Sequence, residues 1–276
     1  LNEGGWIFRE HAPNATAIWL IGTFSDWKTT DEYCLNRIEN GDWEIHLPED
    51  AMHEGDLYKM LVTWDGGQGE RIPAYATRVV QDPDTKIFSA EVYEPKTPYK
   101  FKVKNFKPDV KPLLIYECHI GMAQEKEGVG TYDEFREKTL PRIVADGYNA
   151  IQIMAIQEHP YYGSFGYHVS SFYAPSSRFG TPDDLKRLID EAHKLGIAVI
   201  MDIVHSHAVK NEVEGLGRLD GSYDLYFYGD GRREHPAWDS LLFDYGKNSV
   251  LHFLLSNCKY WLEEFKFDGF RFDGVT

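Results

Sequence analysis

The spacing of apolar positions changes along the chain near residue 95. Before it, short apolar and aromatic runs (WIF, AIWLIGTF, WEIHL, LYKMLVTW) are separated by turn signals at Pro13 and Asn14, at Asn40 and Gly41, and at Asp65, Gly66 and Gly67. That spacing predicts an all-β sandwich over residues 1–95. From Glu94 to Pro112 the sequence turns to Lys and Pro, where proline restricts both itself and the residue before it, so residues 96–112 read as a semi-rigid linker. Beyond it, strand-like runs alternate with helical ones. Leu113–Ile120 reads as a first strand, and Thr131 with Glu134 forms a capping box opening a helical stretch interrupted at Pro141. Ala150–Ile156 is the second strand. A second helical signal runs from Thr181 as cap through Pro182 to Gly196, with Leu185, Leu188, Ile189, Ala192 and Leu195 as its apolar stripe. Ile197–Val204 is the third strand. After a loop-rich insertion from Ala208 to about Tyr245, a helix is expected from about Asn248 to Phe265, with Val250, Phe253, Leu254, Trp261 and Leu262 inward. The fourth strand is Phe267–Asp273.

Four strand and helix alternations predict a parallel sheet, and polar residues at successive strand ends fit a β/α barrel whose site lies at the carboxyl face. An open doubly wound sheet is the rival fold. It is disfavoured because no GxGxxG follows a strand and no GxxxxGK[ST] is present. Four strands supply half of an eight-stranded barrel, so residues 113–276 are expected to form its first half and to expose a sheet edge.

Composition narrows the function classes. The 276 residues carry a net charge of −15, which works against nucleic acid and anionic membrane surfaces as partners. A neutral, hydroxyl-rich partner suits the chain better. Seven Trp, 17 Tyr and 16 Phe supply flat faces for sugar rings, although ordinary core packing accounts for most of them. Trp6, Trp19, Trp27, Trp43 and Trp64 all fall in the predicted sandwich, where each is first expected in the core and one or two could form a glucan platform. Cys34, Cys118 and Cys258 are too scattered for a disulfide framework, so a reducing, cytoplasmic location is expected. No apolar stretch is long enough for a membrane span and no signal-peptide core opens the chain. Because it begins without Met and stops just after Gly274, it reads as a piece cut from a longer protein.

The chemistry gathers at the strand ends. In FDGFRFDG, side chains two apart share a face, so Arg271 and Asp273 point one way while Asp268, Phe270 and Phe272 point the other, the phenylalanines toward packed helices. A carboxylate beside a guanidinium at the carboxyl end of a parallel strand can serve as a nucleophile, or the pair can simply set register. On the third strand Asp202 lies near the same rim, with His207 just above it. Asp202 could instead cap the strand or pair with Arg271, and His207 could be a solvated loop residue. His205, His207, Asp202 and Asp273 form no tight metal-ligand spacing. Tyr161, Tyr162, Phe165 and Tyr167 sit among Gly163 and Gly166, where they could stack on a sugar or pack the loop.

EHPYYGSFGYHVSSFYAPSSRFGTPDDLK, MDIVHSH and GFRFDGVT resemble the corresponding stretches of 1,4-α-glucan (glycogen or starch) branching enzymes of the α-amylase superfamily. YECHIGM is similar to that family's first barrel strand, and REHAP with IGTFSDW to its immunoglobulin-like glucan-binding module. The resemblance implies such a sandwich followed by a (β/α)8 TIM-barrel half, an α-glucan substrate and no cofactor. By position it makes Asp273 the nucleophile, Arg271 the group holding that carboxylate, Asp202 a support for Arg271 and the sugar subsite, His207 a hydrogen-bond partner of the sugar, and Tyr167 a stacking ring. Ser206 stands where many amylases carry a calcium-binding Asn, so no structural calcium is implied. His11 replaces the Trp usual in a REWAP-like motif, which bears on local packing of the module. The family's acid/base Glu and a later His-Asp pair belong to strands beyond residue 276, so this polypeptide alone is expected to be inactive. A glucan hydrolase or debranching relative and a non-catalytic glucan-binding protein are the alternatives.

Overall fold

Residues 6–91 form strands that are antiparallel throughout, and the four longest strand signals of the first segment each become one. The computed structural model describes residues 4–108 and 112–275. Residues 1–3 of the predicted module, 109–111 of the predicted linker, and Thr276 lie outside the described residues. Strands β1 (Trp6–His11) and β3 (Asp42–Leu47) pair in one sheet, with the short strand Asn36–Arg37 beside β3. Strands β2 (Ala15–Gly22), β4 (Leu57–Trp64), β5 (Gly67–Arg71), β6 (Val79–Gln81) and β7 (Phe88–Glu91) build the other. Asn40 and Gly41, both at positive φ, turn the chain into β3, and Gly66 does the same between β4 and β5. His11 closes the last pair of the β1–β3 register, where its Nδ1 lies 2.6 Å from Asp42 Oδ1. The motif's His is thus held by a polar contact at a strand end.

The second part is a four-stranded parallel sheet in the order β11–β10–β9–β8, formed by β8 (Ile115–Cys118), β9 (Ala150–Ile153), β10 (Ala198–Ile203) and β11 (Gly269–Phe272). Each is shorter than its apolar run. Ladder pairing stops where the neighbouring strands diverge at the rim, so the end residues turn into loops. Three consecutive helical pieces follow β8: α1 (Tyr132–Glu134), a π-helical turn over Phe135–Thr139, and α2 (Leu140–Ala145). The predicted capping box is present, with Thr131 Oγ1 accepting the Glu134 N–H at 3.1 Å and Glu134 Oε2 accepting the Thr131 N–H at 3.2 Å. Pro141 does not break the helix. The widened turn, in which the Leu140 N–H reaches back to Phe135 O, accommodates a proline that has no N–H of its own and crowds the preceding turn.

Helix α3 (Pro182–Lys194) and helix α4 (Asn248–Glu264) bury the predicted stripes, with two exceptions. Leu195 is 39% exposed because it is the C-cap and has left the helix, and Leu262 is 40% exposed because it flanks the fully buried Trp261. Phe272 departs from expectation too. It is 44% exposed because β11 is the edge of the sheet and no helix covers it, whereas Phe270 is packed against the barrel core.

One apolar core runs from the sandwich into the barrel. Ala12, Leu47, Met60 and Val62 belong to the same buried cluster as Phe172, Tyr173, Phe227 and Phe253. Tyr75 bridges the two, 5.0 Å from the Tyr173 ring and 5.2 Å from Phe253, while Arg71 Nε donates to Arg218 O at 2.7 Å. The described part of the Lys- and Pro-rich stretch is docked as well. Tyr99 Oη and the N–H groups of Lys102 and Val103 all donate to the buried Asp190 of α3.

Glu10 sits at this seam, 2% exposed, accepting N–H bonds from His11 at 3.0 Å and Ala74 at 2.8 Å. Burial outweighs both bonds and raises its pKa from 4.5 to about 7, with nearby Asp42 adding to the rise. A carboxyl raised on folding contributes stability that is complete below the unfolded value and is lost as pH climbs through the folded one. The wild type should therefore lose about 3 kcal/mol relative to Glu10→Gln between pH 4.5 and pH 7. Urea denaturation of both proteins at pH 5 and pH 8 checks this; parallel pH dependence would refute it.

Candidate active site

Strands β10 and β11 lie side by side in parallel register, with Asp202 opposite Arg271. Both side chains therefore emerge on one face of the sheet at its carboxyl end, and Asp273, two residues past Arg271, joins them. Arg271 Nη1 donates to both oxygens of Asp202, each at 2.9 Å, and to Asp273 Oδ1 at 2.8 Å. Asp202 is fully buried and also accepts the Tyr167 hydroxyl at 2.7 Å. Burial raises the pKa of Asp202, opposed by its bonds from Tyr167 and Arg271. The bond to Asp202 in turn raises the pKa of Arg271 further, and burial followed by that same carboxylate raises the Tyr167 phenol. At neutral pH guanidinium and phenol are donors. The result is a fixed ladder, Tyr167 to Asp202 to Arg271 to Asp273. Asp268, on the opposite face, is used structurally, accepting the Val199 N–H at 2.7 Å and facing His193 Nε2 at 2.9 Å.

Above the ladder lies a cavity of about 660 Å³ lined by Tyr167, His168, His207, Trp238, Asp239 and Asp273. Two glycines let its walls close. At Gly166, with φ +92°, a Cβ would stand 1.7 Å from Ala155 O, so only glycine folds the loop tightly enough to set Tyr167 in place. At Gly274, with φ +62°, a Cβ would crowd Ser206 Oγ at 2.8 Å and the Trp238 ring at 3.1 Å. His207 is not solvated. Its Nε2 lies 2.8 Å from Tyr167 O and its Nδ1 2.9 Å from Ser206 Oγ, and burial lowers its pKa. The neutral ring thus donates through Nε2 and accepts from the serine at Nδ1. A ligand hydroxyl reaches either nitrogen only by displacing one of these partners.

The four residues weighed as a metal cluster do not converge, because His205 turns to Asn257 on α4 at 2.9 Å. In the aromatic loop, Tyr161 is 66% exposed, while Tyr162 and Phe165 stand edge-on to His119 beneath the loop. Sequence reading passed over Trp238 and His168. Trp238 stacks on His235, centroids 3.9 Å apart, on a hairpin of Glu234–His235 and Ser240–Leu242, and His168 Nε2 donates to its carbonyl at 3.0 Å. No local pattern places a residue of that long insertion beside Asp273. Its aromatic and turn content was the available signal.

The comparisons with known proteins fall on the same two parts. Residues 1–84 match the family described as carbohydrate-binding module 48 (isoamylase N-terminal domain), and residues 125–239 match alpha amylase, catalytic domain. The chain is 49% identical over its whole length to 1,4-alpha-glucan-branching enzyme 2-2, chloroplastic/amyloplastic, of Arabidopsis thaliana. It is 46% identical, again over its whole length, to the 1,4-alpha-glucan-branching enzyme of Aspergillus oryzae. Along its whole length the chain is similar to branching enzymes. A third such relative, from Saccharomyces cerevisiae, is 46% identical over 98% of the chain. The chain spans 35%, 41% and 40% of the lengths of these three. Among solved structures, a Paenibacillus barengoltzii pullulanase complexed with maltohexaose and alpha-cyclodextrin superposes with TM-score 0.80 at 20% identity, covering 96% of the chain and 46% of the pullulanase. The catalytic module of the glycogen-degrading pneumococcal virulence factor SpuA gives 0.78 at 17%, covering 96% and 44%. At such identities the likeness concerns the fold: an antiparallel module, then part of an α-amylase catalytic domain.

Proposed function

We propose that this chain supplies the glucan-binding module and the nucleophile-bearing first half of the catalytic barrel of a glycogen branching enzyme. Residues 1–95 are the module, 96–112 the connector and 113–276 the barrel half. Such an enzyme cleaves an α-1,4-glucan and transfers the released chain to a 6-hydroxyl, forming an α-1,6 branch. The observation that supports this best is Asp273 at the sheet rim, bonded to an Arg271 that Asp202 holds in turn, in a chain that aligns along its length with branching enzymes. The anomeric configuration is retained, so two displacements are needed: a carboxylate nucleophile forms a glycosyl-enzyme, and a second carboxyl acts first as acid and then as base. Asp273 Oδ1 is engaged by Arg271, and Oδ2 has no partner among the described residues, so Oδ2 is the attacking atom. Tyr167 supplies a ring wall for the sugar, and His207 bonds a sugar hydroxyl beside the scissile bond through Nδ1 once Ser206 Oγ turns away.

The second carboxyl is not Asp239. That side chain is 82% exposed and paired with Lys210 at 2.7 Å, and its hydrogen bond to the lysine lowers its pKa, the reverse of what a general acid needs. The described residues therefore do not complete the reaction by themselves. Joining the chain to the C-terminal remainder of the Saccharomyces cerevisiae relative and incubating the chimera with amylose tests the reading. New α-1,6 linkages without matching reducing ends support transfer; reducing ends without branches indicate hydrolysis or debranching, and neither product leaves a glucan-binding role.

Trp27 is the platform we assign to the module. Asp26 and Trp27, at φ +51° and +59°, turn the chain so that this indole stays 41% exposed, whereas Trp43 is buried and bonded to Ala12 O. Trp27→Ala should weaken amylose binding by the chain about tenfold with little change in melting temperature. Affinity electrophoresis with unchanged retardation would remove Trp27 from the site. The cytoplasm is the proposed compartment, supported by three unpaired cysteines; among the described residues no helix is long and apolar enough to cross a membrane.

A further inference from the structure

A second cavity, of about 380 Å³, opens where the end of the sandwich meets α3 and the C-terminal end of α4. Tyr93 and Pro95 come from the module side, and Tyr260 and Phe265 from the α4 side, giving flat, CH-rich walls. Its charged groups are Glu94, Asp183, Lys186 and Glu264, and Thr77 adds a hydroxyl. Asp183 is 7% exposed. Its Oδ2 accepts the Tyr99 N–H at 3.0 Å, but its Oδ1 has no hydrogen-bond partner. Lys186 does not satisfy it, since the ammonium lies 3.9 Å away and is hydrogen-bonded to Glu264. A buried carboxylate oxygen left without a donor is costly, and a ligand that brings one removes that cost.

The lining selects among ligands. Three carboxyls against one already paired ammonium disfavour phosphates and other anions, while aromatic and proline faces beside free acceptors suit a neutral ring carrying hydroxyl donors. We propose that this cavity is a second α-glucan-binding site, separate from Trp27 and from the Asp273 pocket, which takes a short stretch of glucosyl units at the seam between module and barrel. This rests on the α-glucan reading above. Because its walls come from both parts, an occupant ties the sandwich to α3 and α4.

Amide TROSY spectra of the 276-residue chain titrated with maltohexaose test the site. The amides of Glu94, Lys186 and Glu264 should titrate. Tyr93→Ala should weaken that titration about tenfold while the amides around Trp27 keep their affinity. Asp183→Asn keeps an acceptor for Tyr99 but puts a donor where the free acceptor stood, so it should weaken the same amides; it also decides the matter if Tyr93→Ala fails to fold. Silent cavity amides with shifts around Trp27 or Asp273 would overturn this site and leave the α-glucan reading standing. Cavity shifts undiminished by a folded variant would also overturn it. Silence everywhere would overturn both readings.

Discussion

Replacing Asp273 by Ala is expected to lower branch formation at least ~10⁴-fold in the chimera with the yeast remainder, if Asp273 is the proposed nucleophile, since among the described residues the cavity wall offers only Asp239 as another carboxylate. Arg271 bonds one of its oxygens at 2.8 Å, and the remaining oxygen belongs to a residue on the cavity wall. The nearest alternative on that wall, Asp239, is ion-paired and largely exposed. Counting new α-1,6 linkages and reducing ends together gives the readout. Both should vanish in the variant while amylose binding through the module persists. Retention of even a hundredth of the activity would assign the nucleophile to another residue.

Arg271→Ala should damage both activity and stability. The guanidinium neutralises two carboxylates at once, and one of them, Asp202, is fully buried. Without it Asp202 keeps, among the described residues, only the Tyr167 hydroxyl as a donor, and stranding a buried charge in this way costs about 3 kcal/mol. Loss of the same cation from Asp273 should lower branch formation about 10³-fold, in line with removal of a preorganised electrostatic partner. Urea denaturation of the variant near pH 7 should show the loss, with partial recovery toward acid pH. The sign follows from Asp202: its folded pKa, already raised by burial, rises further without the arginine, so the penalty is present above the folded value and fades as pH falls through it. Arg271→Ala, Asp202→Asn should recover most of the stability and little of the activity. A single variant as stable as wild type would show that the ladder contributes nothing to folding.

Much of the helical architecture was legible locally. The capping box at Thr131 and the cap at Thr181 bond as their positions implied, and the left-handed Gly196 follows α3. Period-two reasoning on FDGFRFDG was enough to put Arg271 and Asp273 on one side and Asp268 on the other, because strand alternation depends only on backbone geometry. Local pattern failed where the outcome depends on what lies opposite. Phe272 reads as a core residue but borders an open edge, and Leu262 reads as part of a stripe whose inward arc α4 gives to Trp261. The prolines and lysines of residues 96–108 read as a spacer, yet their backbone N–H groups meet a buried carboxylate 87 and 88 residues away.

The sequence by itself determined the two-part order of the chain, its parallel sheet and the shared face of Arg271 and Asp273 at a strand end, since those follow from periodicity and from neighbours along a strand, whereas the pairing of Asp202 with Arg271 follows from strand register. Tertiary structure alone decided that the two parts share one core, that His207 has both nitrogens engaged, and that Trp238 from a distant insertion roofs the pocket. Such features are set by packing between residues far apart in sequence, where burial and hydrogen-bond satisfaction act on the whole chain at once and leave no local periodic trace.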